Sequence, residues 1–173
     1  MIYDCFSYWD EDLLLDLRLN ILDKYVDFFV IVEGNKTWQN NPKNLRFDIN
    51  RFSKFKEKII YVPVTNMPDG INPYLRENFQ RNSIMRGLDK CKDDDFIIIS
   101  DLDEIPNPDQ LKKFTKKMRY AVFKQIHFYY KFNLKSENEP FWLGSRICVK
   151  KHLKSPQWLR YLKFKKRPFW RLD

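Results

Sequence analysis

The sequence predicts an α/β domain with a mainly parallel central sheet and a C-terminal β-hairpin region. Over the first 111 residues, short apolar segments alternate with segments of helical periodicity. This alternation is typical of parallel strands that are joined by crossover helices. Beyond residue 111, the chain is rich in aromatic residues and contains two segments that could pair with each other. The 173 residues suit one compact domain, and we find no boundary that would divide residues 1–173.

Four strands are predicted in the first part of the chain. They cover residues 2–6, 27–33, 59–64 and 96–100. The second and fourth of these segments are apolar through their centres, as expected for strands that are covered on both faces. Because ligands bind beyond the carboxyl ends of parallel strands, the polar residues that follow each strand are the first candidates for a functional site.

Two long helices are predicted between these strands. The first covers residues 10–25 and has acidic residues in its first turn, where they interact favourably with the helix dipole. Helical spacing predicts a core face formed by Leu14, Leu17, Ile21 and Tyr25. The second helix covers residues 74–88. The apolar residues on or near one of its faces are Leu75, Phe79 and Leu88.

In the last part of the chain, the sequence predicts a hairpin and a short helix. Residues 120–134 alternate partly between apolar and polar positions, and residues 141–151 form a second strand-like segment that could pair with them. Ser155 followed by Pro156 predicts a helix start, because serine caps helices and proline fits their first turn.

The composition excludes several classes of protein. Hydrophobic residues make up 43% of the chain and aromatic residues 17%, which excludes a disordered chain. No apolar run reaches the roughly 18 residues that a membrane span needs, and the start of the chain does not resemble a signal peptide. The three cysteines are far apart and predict free thiols in a reducing compartment. We therefore expect a cytoplasmic protein that is soluble or peripheral at a membrane.

Positive charge is concentrated in the last third of the chain. The net charge is +9, and residues 112–173 carry 18 of the 32 lysines and arginines but only 3 of the 23 acidic residues. This asymmetry predicts an anionic partner, which could be a phosphate-bearing ligand, a nucleic acid or an acidic lipid surface. A solvated, lysine-rich surface would explain the same pattern equally well.

Three acidic residues directly follow the fourth predicted strand. They are Asp101, Asp103 and Glu104. If the extended backbone continues through Asp103, the carboxylates of Asp101 and Asp103 point to the same side. Such hard oxygen ligands suit Mg²⁺ or Mn²⁺, which could bridge to a diphosphate. The alternative is an acidic turn that simply ends the strand, since acidic residues and proline are common in turns.

Arg81 and Asn82 lie on the helix that precedes the fourth strand. A guanidinium group binds phosphate oxygens in a forked geometry, so Arg81 could contact a phosphate and Asn82 a phosphate or a sugar hydroxyl. The alternative is an exposed face on which Glu77 and Arg81 pair at a spacing of four residues.

Four segments of the chain resemble glycosyltransferase family 17, and they occur in the order of that family. They are IYDCFSYWDEDLLLDLRLN, VDFFVIVEGNKTWQN, RENFQRNSIMRGL and DDFIIISDLDEIPNP. The most specific part is SDLDEIPNP. The resemblance implies a GT-A (Rossmann-like) nucleotide-sugar-binding domain. It also implies a metal-dependent, inverting transfer of a sugar, by family default N-acetylglucosamine from its UDP donor, to a hydroxyl group of a glycan acceptor.

The resemblance also assigns roles to individual residues. Asp101 and Asp103 would bind Mn²⁺ or Mg²⁺ and, through the cation, the diphosphate of the UDP-sugar. The other positions that it assigns to donor binding are Cys5, Phe6, Ser7, Glu33, Arg81 and Asn82. Family members usually continue into a Gly-Trp-His segment that this sequence does not contain, and we expect a longer protein or a partner to supply it.

The implied reaction needs a carboxylate that accepts the proton of the attacking hydroxyl group. Glu104 and Glu139 are the first candidates, and Glu137 is another. Four aromatic residues could stack on sugar rings, although packing in the core and the hairpin is the stronger explanation for each of them alone. These aromatic candidates are Trp38, Tyr129, Tyr130 and Trp142. Peripheral membrane contact through residues 163–173 is a further expectation, and no nucleic acid is expected as a partner.

Two other functions remain open from the sequence. A phosphohydrolase of the haloacid dehalogenase type also has an Asp-x-Asp motif after a strand, but there the motif lies near the N-terminus and is followed by Thr or Gly. A non-enzymatic binder of nucleic acid or membrane would use the basic, aromatic C-terminal region. A nucleic-acid binder should show steep salt dependence and no requirement for a divalent cation.

Overall fold

The computed structural model describes residues 1–131 and 133–163, which form one sheet with helices on both faces. The strands are β1 (Ile2–Ser7), β2 (Phe28–Gly34), β3 (Ile59–Val64), β4 (Phe96–Ser100), β5 (Tyr120–Ile126) and β6 (Phe141–Val149). The α-helices are α1 (Asp12–Leu22), α2 (Pro73–Asn82), α3 (Pro108–Leu111) and α4 (Pro156–Tyr161). Segments of 3₁₀ helix cover Ile49–Lys58, Ser83–Gly87 and Lys150–His152.

The sheet is mixed, so the prediction of a mainly parallel sheet is wrong. Its strand order is β3-β2-β1-β4-β6-β5. The first four strands in this order are parallel, whereas β6 runs antiparallel to β4 and β5 runs antiparallel to β6. The predicted hairpin is confirmed, but its second strand, not its first, lies beside β4.

Burial explains why β6 and not β5 takes the internal position. The last three residues of β6, Ile147, Cys148 and Val149, are each at most 1% exposed, so this strand is apolar on both faces. Only Phe123 of β5 is buried, and the other side chains of that strand are half-buried or exposed. A strand that is covered on both faces belongs inside a sheet, and a strand with a partly polar pattern is tolerated at the edge.

The face of α1 that packs on the sheet differs from the predicted face. Leu17 and Ile21 are 39% and 38% exposed, and Leu14 and Tyr25 are only half-buried. The buried residues of the helix are Leu15, Arg18, Leu19 and Leu22. Because leucine and isoleucine occur on several sides of α1, apolar spacing fits more than one face. The buried ion pair of Arg18 with β1 selects among them.

The buried face of α2 is largely polar, which also differs from the prediction. Leu75 is 55% exposed, and Phe79 is half-buried. The buried residues of α2 are Arg76, Gln80 and Arg81. Polar side chains can be buried in this way only when hydrogen bonds satisfy them. Leu88, beyond the end of the helix, is buried as predicted.

Several local predictions are confirmed. The Oγ of Ser155 accepts a hydrogen bond from the backbone N–H of Trp158 at 3.1 Å and so caps α4. All three cysteines are free thiols. Across the described ranges, none of the helices has both the length and the apolar character that crossing a bilayer would require.

Candidate active site

The three acidic residues lie in a turn beyond the carboxyl end of β4. The strand ends at Ser100, and Leu102 is buried in the core at 5% exposure. The condition under which strand alternation would point Asp101 and Asp103 to the same side, an extended backbone through Asp103, is therefore not met. The side chains of Asp101, Asp103 and Glu104 nevertheless line one cavity of about 1420 Å³. The turn, and not the alternation of side chains along a strand, brings the three carboxylates to a common cleft.

A fully buried arginine of α1 holds this turn in place. Arg18 donates two hydrogen bonds to the carboxylate of Asp4 on β1, at 2.8 and 2.7 Å, and one to the Oγ of Ser100 at 2.5 Å. Its Nη1 also donates to the backbone carbonyls of residues 101, 102 and 104, at 3.0, 3.0 and 3.3 Å. Arg18 therefore links the core to the acidic turn. We did not predict this residue, although charged residues inside two apolar segments were a signal for a buried pair.

Two further arginines pair with Asp101. Nη2 of Arg81 on α2 donates to one carboxylate oxygen at 2.9 Å, and Nη2 of Arg160 on α4 donates to the other at 2.8 Å. The side chains of Arg81 and Arg160 are 6% and 11% exposed, whereas that of Asp101 is 42% exposed. Arg81 also pairs with Glu77 at 2.9 Å, but in a buried position and not on the exposed face that was the alternative.

Glu104 is held through both of its carboxylate oxygens. The indole N–H of Trp142 donates to Oε1 at 2.6 Å, and Nη1 of Arg160 donates to Oε2 at 2.6 Å. The backbone N–H of Asp101 donates to Oε2 at 3.1 Å. Glu104 is only 8% exposed. These contacts favour a role in positioning Trp142 and Arg160, and they lend no support to the prediction that Glu104 is the catalytic base.

The site consists of two cavities that share Asp101 and Trp142. The larger cavity, of about 1420 Å³, lies along β5 and has a mainly apolar lining with the acidic turn at its edge. The smaller cavity, of about 680 Å³, is bounded by α2, α4 and β6. The basic residues that line the smaller cavity are Arg81, Arg146 and Arg160. The structure therefore places an acidic turn between an apolar cleft and a basic one.

Asp103 has the least compensated charge of the acidic turn. Burial raises the pKa of its carboxyl group, and the negative charges of Asp101 and Glu104 raise it further. The arginines of the site pair with Asp101 and Glu104 instead. Ionisation of Asp103 is thus less favourable than that of an ordinary aspartate, and a nearby cation would offset this.

We expect Asp103→Asn to raise the free energy of unfolding at neutral pH when divalent cations are absent. A carboxyl group whose pKa is raised in the folded state disfavours folding once it is ionised, so its removal stabilises the fold. The gain should disappear as the pH falls below the ordinary aspartate pKa of 3.8, where the folded and unfolded states both hold the proton. Urea unfolding in EDTA from pH 3 to pH 8 measures this. A destabilised variant at pH 7 would contradict the prediction.

The predicted nucleotide segment after β1 lies mostly in the core. Cys5 and Phe6 are each 0% exposed and pack into the cores on opposite faces of the sheet. Only Ser7 of the three predicted residues has a partly exposed side chain. The side chains of Cys5 and Phe6 therefore do not face an open cleft, and only the backbone at these positions could approach a ligand.

Glu33, at the end of β2, forms hydrogen bonds with the loop that follows it. Its carboxylate accepts hydrogen bonds from the ammonium of Lys43 and from the backbone N–H groups of Arg46 and Phe47, the latter two at 2.8 and 3.0 Å. The hydroxyl of Tyr61 donates to it at 3.0 Å, and burial together with Glu33 raises the pKa of Tyr61. Because Glu33 is fully buried with these partners, the structure lends no support to its predicted contact with a base or ribose.

The remaining predicted residues differ in how close they lie to the two cavities. Asn82 accepts a hydrogen bond from the backbone N–H of Gln157 at 3.0 Å and so joins α2 to α4. Glu139 lines the smaller cavity with an exposed side chain, whereas Glu137 lines neither cavity. Glu139 therefore remains a predicted base that has access to the site.

Two of the four predicted stacking aromatics line the cavities. Trp142 lines both and is 46% exposed, and Tyr130 lines the larger one and is fully exposed. Trp38 and Tyr129 line neither. Trp142 is thus the aromatic residue best placed to contact a sugar next to Asp101.

The acids fit a divalent cation only in part. In the described ranges, no group of three or more His, Cys, Asp or Glu side chains is arranged to hold a metal ion. Two carboxylates are enough for Mg²⁺ or Mn²⁺ when substrate phosphates supply further ligands. The uncompensated charge of Asp103 suits a cation, but a cation at Asp101 would compete with Arg81 and Arg160. The residues therefore fit a cation that is shared with a diphosphate, and not one that the protein encloses alone.

Comparison with known proteins gives one family. A family model described as Glycosyltransferase family 17 matches residues 1–166. The chain is 34% identical over 107 residues to the beta-1,4-mannosyl-glycoprotein 4-beta-N-acetylglucosaminyltransferases of Homo sapiens and Rattus norvegicus, and 33% identical to that of Mus musculus. Each alignment covers 56% of this chain but only 20% of the relative. No solved structure matches the chain.

Proposed function

Because this chain belongs to glycosyltransferase family 17, we propose that it transfers a sugar from a nucleoside diphosphate donor to a hydroxyl group of a glycan acceptor. The observation that carries the proposal is the acidic turn after β4, whose residues Asp101 and Asp103 line one cleft. The mammalian relatives are named as N-acetylglucosaminyltransferases, so UDP-N-acetylglucosamine is the first donor to test.

The proposed reaction inverts the configuration at the anomeric carbon. The acceptor hydroxyl attacks this carbon from the face opposite the diphosphate, a new glycosidic bond forms, and the bond to the diphosphate breaks. A divalent cation held by Asp101 and Asp103 would neutralise charge on the departing diphosphate. The proton of the hydroxyl passes to a carboxylate, for which Glu139 is our candidate because its exposed side chain lines the smaller cavity, which Asp101 also lines.

Trp142 is our candidate for the residue that orients the acceptor. Its ring is partly exposed at the junction of the two cavities, and its N–H is fixed by Glu104. A sugar ring that stacks on this indole would lie beside Asp101, since both residues line both cavities. Glu104 and Arg160 would fix the position of the indole relative to the Asp101 carboxylate during the transfer.

The possible contact with a membrane remains a prediction. It depends on residues 163–173, of which 164–173 lie outside the described residues. The glycan acceptor and the nucleotide sugar are therefore the partners that the described site supports best.

We expect nucleotide sugars to stabilise the protein only when Mn²⁺ or Mg²⁺ is present. A ligand at 100 times its dissociation constant adds about 2.7 kcal/mol to the free energy of unfolding, which a thermal-shift screen detects readily. The screen compares UDP-N-acetylglucosamine, other UDP-sugars and GDP-sugars, each with Mn²⁺ and with EDTA. Equal stabilisation in EDTA would contradict the metal dependence. Failure of every donor to stabilise the protein would contradict the transferase proposal itself.

A further inference from the structure

The smaller cavity contains more cationic donors than the surrounding protein uses. Arg81 and Arg160 pair with carboxylates, but among the described residues Arg146 of β6 donates only to the backbone carbonyl of Gly144, at 2.8 Å. Within residues 1–131 and 133–163, the guanidinium of Arg146 forms no ion pair. A cation that lines a cleft without a carboxylate partner suits an anionic ligand.

Two of these arginines also have a buried donor without an acceptor. The Nε atoms of Arg81 and Arg146 are buried, and neither has a hydrogen-bond partner in the described part of the chain. The side chain of Arg81 is 6% exposed, so bulk water does not supply a hydrogen-bond acceptor for its Nε atom. Buried donors are nearly always satisfied in folded proteins, and an exception calls for a partner such as an ordered water or an ion.

Repulsion of Arg146 by the guanidinium groups of Arg160 and Arg81 points the same way. Burial lowers the pKa of Arg146, and the charges of Arg160 and Arg81 lower it further, while Glu104 and Asp101 offset only part of this. Two more acids lie on the lining, but Glu77 is already paired with Arg81 and Glu139 is exposed to water. An anion between the guanidinium groups would relieve the repulsion.

We propose that Arg81, Arg146 and Arg160 bind the diphosphate of the donor, and that the diphosphate competes with Asp101 for Arg81 and Arg160. Asp101 holds one nitrogen of each of these two arginines, the same groups that would grip phosphate oxygens. When the diphosphate takes them over, the Asp101 carboxylate is released towards the cation that it would share with Asp103. This inference rests on the proposed function, because it names the donor group that the basic cavity receives. The cavity volume of about 680 Å³ is in the range of small-molecule sites.

Arg146 is the residue to vary first, because its replacement breaks no ion pair in the described structure. We expect Arg146→Ala to weaken binding of inorganic pyrophosphate and of UDP, measured by calorimetry in Mg²⁺, by about tenfold or more. Arg146→Lys should lose less, because it keeps the charge but not the fork. The matched control is Arg86→Ala, which removes an exposed arginine from the segment after α2 and should leave both affinities unchanged.

A second experiment tests whether the diphosphate competes with Asp101 for Arg81 and Arg160. In EDTA, Asp101→Asn should bind pyrophosphate several times more tightly than the wild type, because the neutral amide no longer holds Arg81 and Arg160. Equal or weaker binding by this variant would overturn the competition. Thermal unfolding of each variant shows whether it is folded, and the Arg146→Lys variant tests the site even if Arg146→Ala is unstable.

The outcomes separate this inference from the proposed function. If the wild type binds UDP and the Arg146 variants bind it equally well, the arginine site is wrong and the transferase proposal stands. If pyrophosphate binds in an Arg146-dependent manner but no donor sugar is transferred, the anion site stands and the transferase proposal fails. If neither pyrophosphate nor UDP binds to the wild type, both are wrong.

Discussion

Arg18→Met is expected to lower the free energy of unfolding by about 3–5 kcal/mol, because it leaves a buried carboxylate without its partner. The side chains of Arg18 and Asp4 are both 0% exposed, and Arg18 supplies two hydrogen bonds to Asp4 as well as three to the acidic turn. Urea unfolding of the variant and the wild type at pH 7 measures the loss. A change below about 1 kcal/mol would show that the pair is not buried in solution.

Two further variants test whether the loss of stability comes from the buried ion pair between Arg18 and Asp4. Arg46→Met removes an arginine whose side chain is 61% exposed and which pairs with Asp10, so its effect should stay below about 1 kcal/mol. The double variant Asp4→Leu with Arg18→Met should be more stable than Arg18→Met alone, because no unpaired charge remains in the core. A double variant that is no more stable would assign the loss to the turn instead of the ion pair.

Asp101→Asn is expected to lower the rate of sugar transfer by about 100-fold or more, the scale on which a single electrostatic contact to a transition state acts. The amide has almost the shape of the carboxylate, but it lacks the negative charge that makes the carboxylate a strong ligand for a divalent cation. Folding should be little affected, because the Asp101 side chain is 42% exposed and Arg160 keeps its bond to Glu104. Steady-state transfer from the donor found in the screen, at saturating Mn²⁺, measures the effect.

The matched control lies at the opposite end of the same strand. Asp94 precedes β4, is 53% exposed and pairs with Lys116 and Lys151. Asp94→Asn removes the same charge from a somewhat more exposed position and should leave the transfer rate unchanged. If Asp101→Asn retains activity within about threefold of the wild type, the acidic turn is not the cation site.

Short-range features of the fold follow from the sequence. The four strands predicted within the first 111 residues and the cap at Ser155 are confirmed, because apolar runs and capping residues act within a few positions of the chain. The placement of Asp101 and Asp103 beyond β4 was also predicted, since strand direction in a βαβ unit determines which end carries the ligand.

Of the three arginines on the basic side of the site, only Arg81 was predicted, and the distance in sequence between the acidic turn and the other two explains why they were missed. Arg146 and Arg160 belong to the C-terminal third of the chain. From the sequence, the positive charge of this third predicts either a surface that binds an anionic partner or a solvated surface. Arg160 reaches Asp101 across 59 positions only because β6 inserts antiparallel beside β4 and carries α4 back to α2. No periodicity in the sequence records such a pairing.

By itself, the sequence determined that this chain forms an α/β sheet with carboxylates at the end of a central strand, because hydrophobic periodicity and turn composition are local properties. The tertiary structure decided which face of α1 is buried, that Arg18 holds the acidic turn, and that three arginines line the same cavity as Asp101. The contacts of Arg18 and of Asp101 join charges that are remote in sequence but share a low-dielectric interior, where leaving a charge without a partner is costly.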